Sequence, residues 1–226
     1  MRYVHTLVQQ NGLELECVLE IICGRDMFRR NTTDWLEAVR KDGWELRYVP
    51  KEFCSHELCL IAVQQDGRIL QYVPEELLDR DICIAALQQN GFVLQYVPKE
   101  FYDHEMCITA VQQHGDALQD VPEELRNREL CMAAVQNSGM ALKYVPNKLR
   151  DREMCITAVQ EYGGALEFVP KKYKDYEMCL MVVKKDGWAL EDVPDSLKTH
   201  ELCEAALSSS QDAKQFIPEI YADELK

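Results

Sequence analysis

The sequence predicts an all-α protein, a right-handed α-solenoid of 24-residue repeats. The 226-residue chain has eight prolines, and each lies 24 residues from the next between Pro50 and Pro218. Glycine, cysteine and leucine recur with the same period, each in its own register. A period of this length is typical of stacked helical units, which bury their apolar faces only against their neighbours.

Each unit is predicted to begin with a long helix, as in Asp79 to Asn90. The fifth residue after each proline is a good helix cap, because a short side-chain oxygen accepts an orphan backbone N–H. An acid two residues later favours the helix dipole. The apolar run that follows, such as Ile82 to Leu87, has no polar side and must lie between neighbours. The predicted caps are Ser55, Asp79, Asp103, Asn127, Asp151, Asp175 and Thr199.

A glycine ends this helix in each unit, which is typical of a left-handed helix stop. The glycines are Gly43, Gly67, Gly91, Gly115, Gly139, Gly163 and Gly187. A second, shorter helix is expected next, as in Phe92 to Tyr96. It ends at Val-Pro, because the residue before proline avoids helical angles. A proline-initiated turn or 3₁₀ piece, such as "PEEL", completes the unit.

We predict three regions in the chain. Residues 1–30 form an N-terminal helical cap, residues 31–218 the tandem repeat solenoid, and residues 219–226 a C-terminal tail. The solenoid has a partial unit at 31–50 and seven units over 51–218. Gln211 and Lys214 replace the expected glycine and leucine, and such altered ends are typical of capping units in a whole array.

The net charge of -14 disfavours nucleic acid and anionic membranes as partners. It favours a protein partner with a basic or mixed surface. No apolar stretch approaches the roughly 18 residues of a spanning helix, and no secretory signal is visible at the start. We therefore expect a cytoplasmic protein, or one in a host cytosol if it is a secreted effector. The oligomeric state is left open.

Seven of the ten cysteines occupy one column: Cys59, Cys83, Cys107, Cys131, Cys155, Cys179 and Cys203. Helices pack roughly 8–10 Å apart, whereas a disulfide needs Cα atoms within about 7 Å. Zinc needs four ligands that converge on one point, and a column does not converge. We predict buried, reduced thiols, no metal and no cofactor. Cys17, Cys23 and Cys54 lie outside this column and are the candidates for reactivity.

The stretch "CSHELC" places Cys54 two residues before His56. A cysteine-dependent hydrolase needs such a pair in hydrogen-bond reach, with a group that orients the base. The same stretch is also accounted for without catalysis if Ser55 is a helix cap and His56 is the first residue of the helix. The sequence favours this second interpretation, and therefore no enzyme.

Two columns are candidate partner-binding residues. The residue after each glycine varies most, and apolar or aromatic side chains there would suit a binding hot spot; packing after a helix stop is the alternative. This column reads Trp44, Arg68, Phe92, Asp116, Met140, Gly164 and Trp188. A second column opens each long helix with His56, Arg80, His104, Arg128, Arg152, Tyr176 and His200. It is either a partner-binding stripe or charge balance against the acids of the next unit.

A third column contains glutamines near the end of each long helix, and we interpret it as a polar ladder between units. Its members are Gln64, Gln88, Gln112, Gln136 and Gln160.

The segment "VPEELRNRELCMAAVQNSGMALKYVP", from Val121 to Pro146, resembles a short helical repeat catalogued as domain of unknown function 4116. The resemblance extends from Asn31 to Pro218. The family has no established activity. It occurs in multi-copy arrays in proteins of intracellular bacteria, protists and giant viruses. This implies an interaction module, and some members look like secreted effectors or effector regulators.

These observations favour a non-catalytic scaffold that binds a protein partner across several repeats. One alternative is an inhibitor that occludes an enzyme. The other is a hydrolase that uses Cys54 and His56.

Overall fold

The structure is a computed structural model that describes residues 31–222 and residue 224. The predicted cap at residues 1–30 lies outside this range. Within it the chain is helical throughout and contains no strand. The α-helices are α1 Thr32–Lys41, α2 His56–Gln65, α3 Arg80–Gln89, α4 His104–Gln113, α5 Arg128–Asn137, α6 Arg152–Glu161, α7 Tyr176–Lys185, α8 His200–Ser209 and α9 Glu219–Ala222.

Each long helix is followed by a six-residue 3₁₀ helix, which we call a B helix. The B helices are Gly43–Tyr48, Gly67–Tyr72, Gly91–Tyr96, Gly115–Asp120, Gly139–Tyr144, Gly163–Phe168, Gly187–Asp192 and Gln211–Phe216. After each proline up to Pro194 comes a three-residue 3₁₀ turn: Lys51–Phe53, Glu75–Leu77, Lys99–Phe101, Glu123–Leu125, Asn147–Leu149, Lys171–Tyr173 and Asp195–Leu197. The predicted all-α solenoid is confirmed, and the short second helix is of the 3₁₀ type.

The long helices form one layer and the B helices a second, and each element packs against its counterpart in the next unit. The core lies between the two layers. It contains the cysteine column and the leucines of the B helices, all less than 3% exposed from Leu46 to Cys203. No polar or charged side chain of the described residues is buried. Of the apolar run at residues 82–87, five residues are buried between neighbouring units and Ile84 is half-buried.

All seven predicted caps are confirmed. Each side chain accepts a hydrogen bond from the backbone N–H of the third helical residue, as Asp79 does from Ile82 at 2.9 Å. Helix α1 adds a reciprocal capping box, in which Asn31 and Asp34 each accept from the other's backbone N–H. These caps fix where the long helices start, because they satisfy donors that have no partner within the helix.

Each glycine was predicted to end a long helix by adopting left-handed backbone angles, and this prediction was wrong. None of the described glycines has left-handed backbone angles. The long helix ends one residue earlier, where Asp66 is extended at φ -151° and accepts from the N–H of Arg68, so it caps the B helix. Gly67 then opens that B helix against the end of α3, and an added Cβ would clash with the carbonyl oxygen of Ala86. Glycine is thus required by close approach of two backbones.

This contact between a glycine and the alanine of the next unit recurs along the array, with one exception. Gly91, Gly115, Gly139 and Gly187 each face an alanine carbonyl in the same way. Gly163 instead faces Val182, and its added Cβ would lie 3.3 Å from Val182 Cγ1 and 3.2 Å from Asp186 Cβ. The larger side chain keeps the backbones apart, and α6 packs less closely on α7 than other neighbouring helices do.

We predict that Gly91→Ala and Gly163→Ala have different effects on stability. The first forces a methyl group onto the carbonyl of Ala110 and should lower the free energy of unfolding by about 1–3 kcal/mol. The second meets only side-chain atoms at 3.2 Å or more and should change stability by less than about 1 kcal/mol. Urea unfolding followed by circular dichroism measures both. Equal losses would contradict the proposed role of the alanine carbonyl.

Candidate functional site

The B helices carry the variable column that follows each glycine, and Trp44 and Arg68 of this column meet in the structure. The Trp44 ring lies 6.0 Å from the Tyr72 ring in an edge-to-face arrangement. The Arg68 guanidinium lies 5.5 Å from the Trp44 ring centre, a cation–π contact. The ring of one unit is therefore framed by two side chains of the next unit.

The sixth residue of most B helices is aromatic, and our sequence interpretation missed this column; Asp120 and Asp192 are the exceptions. Tyr48, Tyr72 and Tyr96 are 39%, 40% and 42% exposed, and Phe92 of the variable column is 38% exposed beside them. With Trp44 these side chains define what we call the aromatic face. The signal was available in the sequence, since an aromatic residue recurs five positions after Gly43, Gly67, Gly91, Gly139 and Gly163.

The aromatic face ends at the fourth B helix. In this helix Asp116 occupies the variable position after the glycine, and Asp120 occupies the sixth position, where the preceding B helices have tyrosine. Burial raises the pKa of Asp120. Phe92 stacks on His114 of this unit at 4.4 Å between ring centres. Met140 and Gly164, further along the variable column, are half-buried.

A second edge-to-face pair between a tryptophan of the variable column and an aromatic residue of the next unit lies near the C-terminus. Trp188 is 47% exposed and contacts Phe216 at 5.7 Å, as Trp44 contacts Tyr72. The variable column thus provides two separate aromatic clusters rather than one continuous stripe.

The column that opens each long helix forms a ladder of contacts along one edge, which we call the edge ladder. Arg80 lies 2.9 Å from Asp103, and Arg128 lies 2.8 Å from Asp151. Every member contacts a carboxylate of the next unit or, for His200, of the C-terminal residues: His56–Asp79, Arg80–Asp103, His104–Glu129, Arg128–Asp151, Arg152–Asp175, Tyr176–Glu201 and His200–Glu224. This geometry is the charge balance considered above; partner binding by this column stays a prediction.

The ladder also acts on the helix caps. The backbone N–H of Met106 and the Arg80 guanidinium hold the pKa of Asp103 below its usual range, and the cap of α6 shows the same shift. One carboxylate therefore both caps a helix and binds a cation from the preceding unit.

A second inter-unit column was not anticipated. In most units the residue before the helix cap binds backbone carbonyls at the C-terminal end of the B helices, where the helix dipole is negative. Arg150 donates to the carbonyls of Val145 at 2.9 Å and Phe168 at 2.8 Å, at the ends of two adjacent B helices. This carbonyl-binding column is Cys54, Tyr102, Arg126, Arg150 and Lys174. At the equivalent positions Leu78 has no donor and Lys198 pairs with Asp195. In the sequence this position is uncharged up to Tyr102 and cationic from Arg126 onwards. This change could have indicated a role in binding carbonyls.

The side chains of Cys54 and His56 contact different groups and not each other. The Cys54 thiol faces the carbonyl of Val49 at 3.9 Å and hydrogen-bonds with the Cys59 thiol, which lowers the pKa of Cys54. His56 Nε2 lies 2.7 Å from Asp79 Oδ2. Ser55 caps α2, as the non-catalytic interpretation predicted.

The seven column cysteines are free and fully buried, which confirms that they belong to the core. Burial raises the pKa of Cys83, Cys107, Cys131, Cys155 and Cys179 to about 11. Among the described residues no three His, Cys, Asp or Glu side chains converge as a metal site would require. Over the same part of the chain, no helix has both the length and the apolar character to cross a bilayer.

The polar ladder was assigned to the wrong glutamines. The inter-unit bonds come from the adjacent column: Gln65 donates to the carbonyl of Val39 at 2.8 Å and accepts from the N–H of Gly43 at 2.9 Å. Asn137 makes the equivalent pair with Gln112 and Gly115. The predicted glutamines, from Gln64 to Gln160, are exposed.

The repeat also matches a known family model, described as "Domain of unknown function (DUF4116)". Overlapping matches cover residues 34–78, 55–102, 79–126, 103–150, 127–174 and 151–198. The chain belongs to this family. DUF4116 names a repeat and assigns no activity. No curated protein and no solved structure matches the chain.

We predict that Arg150→Met destabilises the protein while Arg152→Met has little effect. Arg150 is half-buried and its loss leaves carbonyls of two B helices without a donor, at a cost of about 1–2 kcal/mol. Arg152 pairs with Asp175 on the exposed edge, where ion pairs contribute little. Urea midpoints measure the difference. A larger loss for Arg152→Met would mean that the edge ladder, not the carbonyl-binding column, holds the units together.

We also predict selective labelling of the thiols. Iodoacetamide at pH 7.5 should modify Cys54, because its pKa is lowered and its side chain is partly exposed, and the thiolate is the reactive form. The column cysteines should react only after unfolding. Peptide mapping by mass spectrometry reads each site separately, and labelling of the column in native protein at the rate of Cys54 would be evidence against the buried core.

Proposed function

We propose that this protein is a non-catalytic scaffold that binds a protein partner across several repeats. The aromatic face is the observation that supports this most strongly. Tyr72, Phe92 and Tyr96 expose large apolar area on consecutive units. Aromatic side chains are enriched in binding hot spots, and exposed apolar patches mark interaction sites.

The frame beneath the aromatic face supports the same proposal. The backbones of adjacent units meet at Gly67 and Gly91, so the B helices that carry these rings are held in fixed register. Rings presented by a rigid backbone lose little conformational entropy on binding. The hydrolase alternative gains no support, because Cys54 and His56 face different groups.

We expect Phe92→Ala/Tyr96→Ala to reduce partner binding by about thirtyfold or more, since the loss of one hot-spot residue, roughly 2 kcal/mol, already gives that factor. Affinity capture with quantitative mass spectrometry identifies proteins that wild type retains and the variant loses. Calorimetric titration of one purified partner then gives the affinity change.

Tyr162→Ala/Met181→Ala is the matched control. It also removes two large exposed apolar side chains, but both lie outside the two candidate binding columns and far along the array from the aromatic face. This control should bind like wild type. If the two double variants bind the partner equally well, the aromatic face is not the binding surface.

A further inference from the structure

The opposite layer of the molecule carries a second surface, and we infer that it binds a basic amphipathic α-helix. In α2 to α7 the fifth residue of each long helix is aliphatic and half-buried, with its outer side open to solvent. These residues form what we call the aliphatic stripe: Leu60, Ile84, Ile108, Met132, Ile156 and Leu180. It crosses α2 to α7 on the layer that does not contain the B helices.

Two polar rails flank the aliphatic stripe. Because residues three and four apart share a helix face, the exposed acid at helix position two and the exposed residue at position nine lie on either side of it. Position nine is glutamine in α2 to α6 and Lys184 in α7. Between α4 and α5 a shallow cavity joins these parts, lined by Ile108, Gln112, Arg128, Glu129, Met132, Ala133 and Gln136. At this pair of helices the stripe and its rails form a groove, and the same residue types continue along α2 to α6.

The width of the groove fits a helix. Positions two and nine of a long helix are seven residues apart, which at 1.5 Å per residue is about 10 Å. An α-helix with its side chains is about 10–12 Å across. A partner helix laid along the aliphatic stripe would have one flank on the acids and the other on the glutamines.

The charge of the groove calls for a basic partner. Glu129 is 76% exposed and lies 3.7 Å from Nε2 of His104, and Glu177 is 91% exposed and lies 3.9 Å from Arg152. Arg80, Arg128 and Arg152 each contact two carboxylates of the next unit, the Asp cap and the rail glutamate. Because one cation faces two carboxylates, the acidic rail keeps a net negative charge that a lysine or arginine of a partner would neutralise. It consists of Glu57, Asp81, Glu105, Glu129, Glu153, Glu177 and Glu201.

The spacing of the units sets the sequence pattern of the partner. Packed helices lie about 8–10 Å apart, and seven residues of an α-helix rise about 10.5 Å. A partner that repeats an aliphatic residue and a cation every seven residues therefore meets one unit of the groove per repeat.

A synthetic 21-residue peptide tests this inference on the full-length protein. It carries Leu in a seven-residue pattern with Lys along one flank, and its binding is read by fluorescence anisotropy. Binding should weaken as salt rises. A peptide with Glu in place of Lys, and one with a central proline that breaks the helix, should bind at least tenfold more weakly. If the lysine peptide fails to bind, or the proline peptide binds equally well, the inference is overturned.

Variants of the protein locate the peptide. Glu129→Gln/Glu177→Gln should weaken binding about fivefold, as expected for loss of two exposed ion pairs. Glu167→Gln/Glu191→Gln makes the same charge change on the B helices and should have no effect. The aromatic-face variant Phe92→Ala/Tyr96→Ala should also bind the peptide normally, so this test is independent of the proposed function. Equal loss in the two glutamine variants, or loss in the aromatic-face variant, would place the peptide elsewhere and refute the site.

Discussion

The contact of a glycine with the carbonyl of an alanine in the next unit is the constraint on which the rest of the structure depends. At Gly67 and Gly91 there is no room for a Cβ, so adjacent units approach until their backbones meet. That distance determines how the buried cysteines and leucines interdigitate, and it gives the array a single register. Interiors packed at this density tolerate little change in volume, which explains why the period has no insertions between Pro50 and Pro218.

Polar groups are then committed largely to links between units. The edge ladder joins each helix start to the cap of the next helix, and the carbonyl-binding column joins the ends of adjacent B helices. Because Arg80, Arg128 and Arg150 are used in these links, many cations of an acidic chain are unavailable to a partner. The surfaces that remain for binding are aromatic on the B layer, and aliphatic with an acidic rail on the long-helix layer.

Most of the fold could be predicted from the sequence, because helix caps and the 24-residue period are local signals. Asp79 and the equivalent residues cap the long helices as predicted. Two features were not predicted. The role of Gly67 depends on Ala86 of the following unit, and such a contact is invisible until the units are stacked. The hydrogen bond between units is made by Gln65 and not by Gln64. Which of two successive glutamines faces the neighbouring unit depends on the rotation of the helix about its axis, and the sequence does not fix that rotation.

The candidate surfaces were predicted less completely. Variation after each glycine singled out a column that is exposed at Arg68, Phe92 and Trp188 but half-buried at Trp44 and Met140. It did not show that Tyr72 would join Trp44 across a unit boundary, since that pairing needs the offset between neighbouring B helices. The aliphatic stripe was hidden for a different reason: Ile108 and Met132 belong to an apolar run, and only the structure separates the fully enclosed members of that run from those at its outer side.

The substitution of valine for alanine at Val182 has a mechanical consequence. In a linear array each unit contacts only its neighbours, so tension applied to the two ends passes through every junction in series. The junction between α6 and α7 is the one with the slackest packing, and it would yield before the others.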